Sequence, residues 1–360
     1  MSIHPFKLLI NGIDTLQCSY FLEPCGVTAI DFVKLAEMKE SIRQSKGRTP
    51  VVLELAGTSF LLQAYGTSSG YPFVLENEDF KIECGEFNKP NFYVTFRSQA
   101  LWRESAWLLH EKFLSWARSA GFTPHRPESL SRVDYCFDYH LPDIDFSEDS
   151  FVSRSTKDSQ YREAKKVQTF SFGKGDIVLR VYDKVAEIQQ QSHKVWFYLM
   201  WKMDKDVWRI EWQVRKATLK HHDINTLDDL RDQQGDLLRY LSEDHDTLRV
   251  PTKDSNSSRW PLHPLWQNLQ QQIANLNNLG VHRVVGRPAA LDERMERMAI
   301  SVLGYLKSVA AVRCVQTNRD NLDMDEALKH LTYKLERLHE PLAWQDDVEK
   351  RINKFRHGQW

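Results

Sequence analysis

The sequence predicts an α+β protein: two similar halves of mainly antiparallel sheet with helices packed on one face, followed by a C-terminal helical domain. Short alternating apolar and polar runs, bounded by Gly, Asn, Asp and Pro, recur through residues 1–250. Each of two successive stretches closes on an amphipathic helical period, at 99–120 and at 226–243. Beyond the polar linker at 250–259 the strand patterns stop and only helical periods remain. The boundaries that follow are 1–125 and 126–249 for the two halves and 260–360 for the helical domain.

In the first half, residues 6–10 form a short apolar strand, and 28–44 read as a helix carrying Ile30, Phe32, Val33, Leu35 and Met38. Residues 51–55 and 59–65 flank Ala56-Gly57-Thr58 as strand, turn and strand. Further strands are expected at 73–75, 80–84 and 92–97. The helix at 99–120 carries Leu101, Trp102, Leu108, Leu109, Phe113 and Trp116, with Gly121 as its cap. In the second half, strands are expected at 132–139, 167–172, 177–184 and 208–215. Gly173-Lys174-Gly175-Asp176 makes a hairpin turn, and the polar stretch 146–166 reads as helix or loop. Residues 264–279, 288–312 and 321–355 are helical in period.

Composition narrows the function. Lys plus Arg total 48 against 49 Asp plus Glu, so no global basic coat exists, although a local basic face is permitted. The cysteines Cys18, Cys25, Cys84, Cys136 and Cys314 are odd in number and form no C-x-x-C pair, which argues against a disulfide framework or zinc module. The N-terminus is too short in apolar run for a signal peptide, and no stretch reaches the roughly 20 apolar residues of a membrane span. A soluble, cytoplasmic protein without a membrane partner is the expectation.

Three strands put chemistry on one face, because alternate strand residues share a side. Arg132, Asp134 and Asp138 share one face of the first, with Val133, Tyr135 and Phe137 opposite. Arg180, Tyr182 and Lys184 share a face of the second, and Arg209, Glu211, Gln213 and Arg215 share a face of the third. Paired, these strands place carboxylates, cations and one tyrosine on one wet surface. Carboxylates hold a divalent metal that polarises a phosphoryl oxygen, Arg and Lys neutralise phosphate, and a tyrosine hydroxyl can attack and store the bond covalently. Cross-strand ion pairs alone account for many such faces, so the pattern by itself leaves a structural explanation open.

The stretch Phe172-Gly173-Lys174-Gly175 followed by Arg180-Val181-Tyr182-Asp183-Lys184-Val185-Ala186-Glu187 resembles the replication initiation factor family, whose signature is Arg-x-Tyr-x-Lys-x-x-Glu after a Gly-containing turn. Arg132-Val133-Asp134 and Arg209-Ile210-Glu211 are similar to its flanking strands, in the same order. The resemblance covers about residues 130 to 216 well, the first half in outline, and the C-terminal helices not at all. It implies a rolling-circle replication initiator, or a related relaxase, that nicks one DNA strand at an origin. Tyr182 would be the nucleophile, giving a 5′-phosphotyrosine and a free 3′-OH, with rejoining by a second transesterification. Origin DNA, single-stranded or melted at the nick, would be the partner, with host helicase and polymerase acting alongside and an oligomer possible.

Within that expectation Asp134 and Glu211, each mid-strand on the polar face, are the leading metal ligands, with Glu187 next and Asp138 weaker. Oxygen donors favour Mg or Mn. Arg180, Lys184 and Arg209 would bind the scissile phosphate; Arg132 would do so or orient Asp134. Asp183 has the opposite parity and is left out. No His-hydrophobe-His pair and no His-x-x-Arg occurs, which disfavours two other classes of DNA-cleaving enzyme. Tyr305 and Tyr333 read as packing residues in helices, and the run from Trp196 to Trp201 as core. A competing reading is a non-catalytic nucleic-acid-binding sheet, which has no use for Asp134, Glu187 and Glu211.

Overall fold

The computed structural model describes residues 6–45, 48–163, 166–276 and 287–356. The first half runs β1 (Lys7–Tyr20), β2 (Leu22–Pro24), α1 (Phe32–Gln44), β3 (Val51–Leu55), β4 (Thr58–Leu62), β5 (Phe73–Glu76), β6 (Phe80–Cys84), β7 (Phe92–Phe96), α2 (Ser98–Arg103), α3 (Ala106–Ser119) and β8 (Phe122–Pro124). The second runs β9 (Ser129–His140), β10 (Phe151–Ser153), β11 (Asp158–Glu163), β12 (Lys166–Phe172), β13 (Ile177–Asp183), α4 (Lys184–Glu187), α5 (Trp196–Trp201), β14 (Val207–Arg215), α6 (Lys216–His221), α7 (Leu227–Arg239) and β15 (Asp246–Leu248). Then follow α8 (Pro264–Ala274), α9 (Arg287–Thr317), α10 (Met324–Leu338) and α11 (Pro341–Arg356).

The α+β expectation holds. One 11-stranded antiparallel sheet runs β11-β12-β13-β14-β9-β1-β7-β6-β5-β4-β3. The long first strands of the two halves, β1 and β9, pair at its centre, so each half contributes one wing. One face is apolar. Leu16, Cys18 and Tyr20 of β1, Val133, Tyr135 and Phe137 of β9, and Ile210, Trp212 and Val214 of β14 join one buried cluster with α1, α3, α7 and α8. α3 supplies Ala106, Leu109, Phe113, Trp116 and Ala117 at helical spacing, and Ser105 caps its start by accepting from the Leu108 amide at 3.2 Å. Gly121 behind it is required twice over: its φ is +83°, and a Cβ there would sit 2.4 Å from the Val27 carbonyl oxygen. A smaller cluster on the opposite face, formed by α2, α4 and α5, covers one end of the polar side.

Several expectations change. The strand at 6–10 is the start of the 14-residue β1. The single helix at 99–120 is two, because Glu104 and Ser105 adopt extended backbone between α2 and α3. The polar stretch 146–166 is strand in part: β10 pairs with β15, and β11, mostly exposed, pairs with β12 as the edge of the main sheet. Residues 264–274 of the expected C-terminal domain pack into the main core instead, where the Trp266 ring lies 5.5 Å from Trp212; residues 277–279 lie outside the described residues. Tyr305 and Tyr333 are exposed rather than packed. By length and composition Arg294–Thr317 in α9 is apolar and long enough to cross a membrane, contrary to the expectation that no stretch is.

Candidate active site

The site lies where β13, β14 and β9 run side by side. Register sets Arg180 opposite Glu211, Tyr182 opposite Arg209, Arg209 opposite Asp138, and Gln213 opposite Asp134. Leu179, Val181, Ile210 and Trp212 bury the other side of these strands, which fixes the register, because a one-residue slip would turn the charged set into the core. All the expected side chains of β9, β13 and β14 therefore share one face. Five of them, Arg132, Asp134, Arg180, Tyr182 and Glu211, line a cavity of about 450 Å³.

Tyr182 Oη donates to Glu211 Oε2 at 2.9 Å. Arg180 Nη1 donates to the other Glu211 oxygen at 3.1 Å. Burial and the neighbouring Glu211 carboxylate push the Tyr182 phenol well above its ordinary range, so it carries its proton at neutral pH. Lys184 does not continue the strand: Asp183 caps α4 by accepting from the Ala186 amide at 3.0 Å, which turns Lys184 into the first helical residue. From there the Lys184 ammonium folds back to 3.5 Å from Tyr182 Oη and 2.6 Å from Glu187 Oε2, at 2% exposure. Burial first, then Arg209 and Lys194, lower its pKa.

Arg209 sits differently from the expectation of a phosphate contact. It is 0% exposed and doubly bonded to Asp138, at 2.6 and 2.9 Å, with its guanidinium 4.5 Å from the Phe197 ring. Trp201 Nε1 also donates to Asp138 at 2.9 Å. This pair forms the floor behind the site and does not line the cavity.

Two residues escape sequence reasoning. Asp14 lies at a register irregularity of β1 between Ile13 and Thr15. The extra residue re-aims its side chain into the cavity wall. Its carboxylate accepts from Ser98 at 2.8 Å, Trp102 at 2.9 Å and Lys194 at 2.9 Å, and lies 3.2 Å from Arg209. Burial alone would raise its pKa, but Lys194, Arg209 and Lys184 together hold it well below the ordinary carboxylate range. Lys194 reaches it from the segment after His193, whose φ of 53° reverses the chain. The one sequence feature at Asp14 is an acid directly after Ile13 in a strand that runs on into Leu16 and Cys18 of the core, and the bulge hides which way it faces.

The expected metal ligands are not assembled as a ligand set. Both Asp134 oxygens accept from Arg132, at 2.8 and 2.5 Å, both Glu211 oxygens are engaged as above, and Glu187 binds Lys184 and Ser192. Among the described residues no group of three or more His, Cys, Asp or Glu is placed to hold a metal ion. In this arrangement every candidate ligand is neutralised by a cation, which does not fit a divalent ion held by the three carboxylates.

No protein-family model matches the chain. No curated protein matches it either. Among solved structures it is similar to a rolling circle replication initiator protein from Geobacillus stearothermophilus, with 19% identity and a TM-score of 0.42, over 75% of this chain and 97% of that one. At that degree of likeness the functional reading has to come from the residues of the site.

Proposed function

We propose that this protein is a DNA strand transferase that nicks and rejoins one strand at a replication origin, with Tyr182 as nucleophile. The observation that carries the reading is the Tyr182–Glu211 hydrogen bond of 2.9 Å at the wall of a cavity that also holds Arg132 and Arg180. A phenol that stays protonated needs a base at the moment of attack, and Glu211 is in hydrogen-bond reach. The ordered resemblance of residues 130 to 216 to replication initiation factors supports the same reading.

In the proposed step, Tyr182 Oη bonds to the scissile phosphorus while its proton passes to Glu211 Oε2. The bond from phosphorus to the 3′-oxygen breaks, and that oxygen takes a proton from water. The products are a 5′-phosphotyrosine and a free 3′-OH, and the reverse attack by a 3′-OH rejoins the strand. The phosphodiester energy is kept in the tyrosyl ester, so no nucleotide cofactor is consumed. Arg180 and Arg132 face the cavity and offset the charge that gathers on the phosphoryl oxygens. The Lys184 ammonium, 3.5 Å from Tyr182 Oη, favours the negative charge that develops there. Arg209 and Asp138 hold the strands in register beneath. The same chemistry serves a replication initiator and a conjugative relaxase.

The test is incubation with supercoiled DNA from the native replicon in the presence of Mg or Mn, with wild type and Tyr182→Phe side by side. A nicked circle with protein on its 5′ end for wild type alone supports the proposal. An adduct formed by Tyr182→Phe, or DNA bound and never nicked, overturns it.

A further inference from the structure

The row of residues that crosses the sheet at Tyr182 continues beyond the site. Tyr182 is opposite Thr169 of β12, and Thr169 is opposite Tyr161 of β11. Directly opposed residues of antiparallel strands share a face, so Tyr161 stands on the polar side with Tyr182, two strand spacings away, or about 9–10 Å. Only the short Thr169 side chain separates the two tyrosines in that row, and all three residues line the cavity. β11 is the outermost strand of the sheet. Tyr161 is 55% exposed, and among the described residues its side chain makes no hydrogen bond or ring contact. A bulge falls at the same place: Tyr161 pairs with Thr169 and Arg162 with Val167, which leaves Gln168 as the extra residue. Bulges re-aim a side chain, and Gln168 lines the same cavity.

We infer that the gap over Thr169 is a nucleobase subsite, in which an unpaired base next to the scissile phosphate stacks on the Tyr161 ring. The inference rests on the proposed reaction at Tyr182 and names what holds the strand beside it. A phosphate at Tyr182 carries its base within one nucleotide's reach, and Thr169 is where the row leaves room for it. An exposed phenol ring offers a flat face that stacks on any base. The edge of a base presents donors and acceptors, and the Gln168 amide supplies both kinds. The cavity, at about 450 Å³, is within the range of about 300–1,000 Å³ that holds small ligands. Arg132 and Arg180 on its walls match the phosphates that would flank the base. Packing across the strands on Thr169 accounts for part of the Tyr161 ring, but more than half of the residue stays open.

The test is equilibrium binding of a labelled oligothymidylate of about 12 nucleotides to the full chain, read by fluorescence anisotropy, beside an abasic polymer with the same phosphates. Tyr182→Phe serves as the parent, so that no covalent adduct accumulates. Tyr161 lies on an exposed edge strand, so circular dichroism should show its variants folded. Tyr161→Ala is expected to weaken oligothymidylate binding about tenfold, in line with the loss of one stacked base, and to leave the abasic polymer within about twofold. Tyr161→Phe keeps the ring and should bind within about threefold of the parent. Thr169→Phe fills the gap and should repeat the loss seen with Tyr161→Ala. Binding indifferent to Tyr161→Ala would overturn the subsite. So would an equal loss on both polymers, which would assign Tyr161 to the backbone, or a Phe variant as weak as the Ala variant, which would assign the contact to the hydroxyl. The two readings fail separately. Base-dependent binding through Tyr161 with no nicking by wild type removes the nucleophile and keeps the nucleobase site; nicking with binding indifferent to Tyr161 does the reverse.

Discussion

Tyr182 and Glu211 meet on a diagonal of the sheet: Tyr182 is opposite Arg209 and Glu211 is opposite Arg180, yet Tyr182 Oη reaches Glu211 Oε2 at 2.9 Å. Long side chains bridge this diagonal on a twisted antiparallel pair. In the proposed step Glu211 takes the Tyr182 proton, so Glu211→Gln is expected to slow single-turnover nicking by about 10²–10⁴-fold, the usual worth of a positioned base. DNA binding should be nearly unchanged. Nicking by the Gln variant within about threefold of wild type would remove Glu211 from that role.

Arg180 lines the cavity and is the most exposed of the cations that reach Glu211. If it contacts a backbone phosphate, Arg180→Ala should weaken binding to unrelated single strands by a similar factor for each. It should also reduce the slope of log affinity against log salt by about 0.7, the value for one contact on a single strand. An unchanged slope would leave Arg180 as a partner of Glu211 only.

Much of this was legible in sequence, and for a definable reason. Period-two alternation places Arg132, Asp134, Arg180, Tyr182, Arg209 and Glu211 on one face, because Val133, Val181 and Ile210 between them must be buried. What alternation does not carry is the neighbour across the sheet. Arg209 reads as a free cation along its own strand, and only the register with Asp138 reveals it as a buried partner. Asp14 could not be assigned to the polar face because a bulge breaks the alternation where it sits, and Lys194 because a left-handed residue rather than a periodic element aims it. The split of 99–120 into two helices likewise rests on two extended residues that helical periodicity passes over.

The Asp138–Arg209 pair, both 0% exposed at the side chain, supports the sheet rather than the substrate. Removing one partner leaves a buried charge without compensation, which costs about 3–5 kcal/mol. Asp138→Ala is therefore expected to lose stability on that scale in urea unfolding, with loss of nicking following from unfolding of the site. A loss under about 1 kcal/mol would mean that Arg209 finds Asp14 as a sufficient partner.

The ion pairs on Asp134 and Glu211 make a statement about metal in the absence of DNA. Mn²⁺ titrated into the free protein should show no saturable site at these carboxylates tighter than about 1 mM, because Arg132 and Arg180 already occupy them. Electron paramagnetic resonance of the free ion reads this directly. A tight stoichiometric site, lost in Asp134→Asn, would show that the arginines yield to the ion.

Asp134 gives a pH dependence whose sign can be worked out. Burial first, partly opposed by the Arg132 hydrogen bond and reinforced by Glu211, raises its pKa from the ordinary 3.8 to about 6. A carboxyl with a raised folded-state value favours the protonated native state. Its contribution to stability is thus fully present below about pH 4 and is lost as pH rises through about 6. Asp134→Asn stays neutral throughout and does not titrate. Relative to that variant, wild type should lose about 3 kcal/mol between pH 4 and pH 7, at 1.36 kcal/mol for each pH unit between the two values. Thermal unfolding of the two proteins across that range measures it. Parallel curves would mean that Arg132, at 2.5 Å from the carboxylate, holds Asp134 ionised throughout.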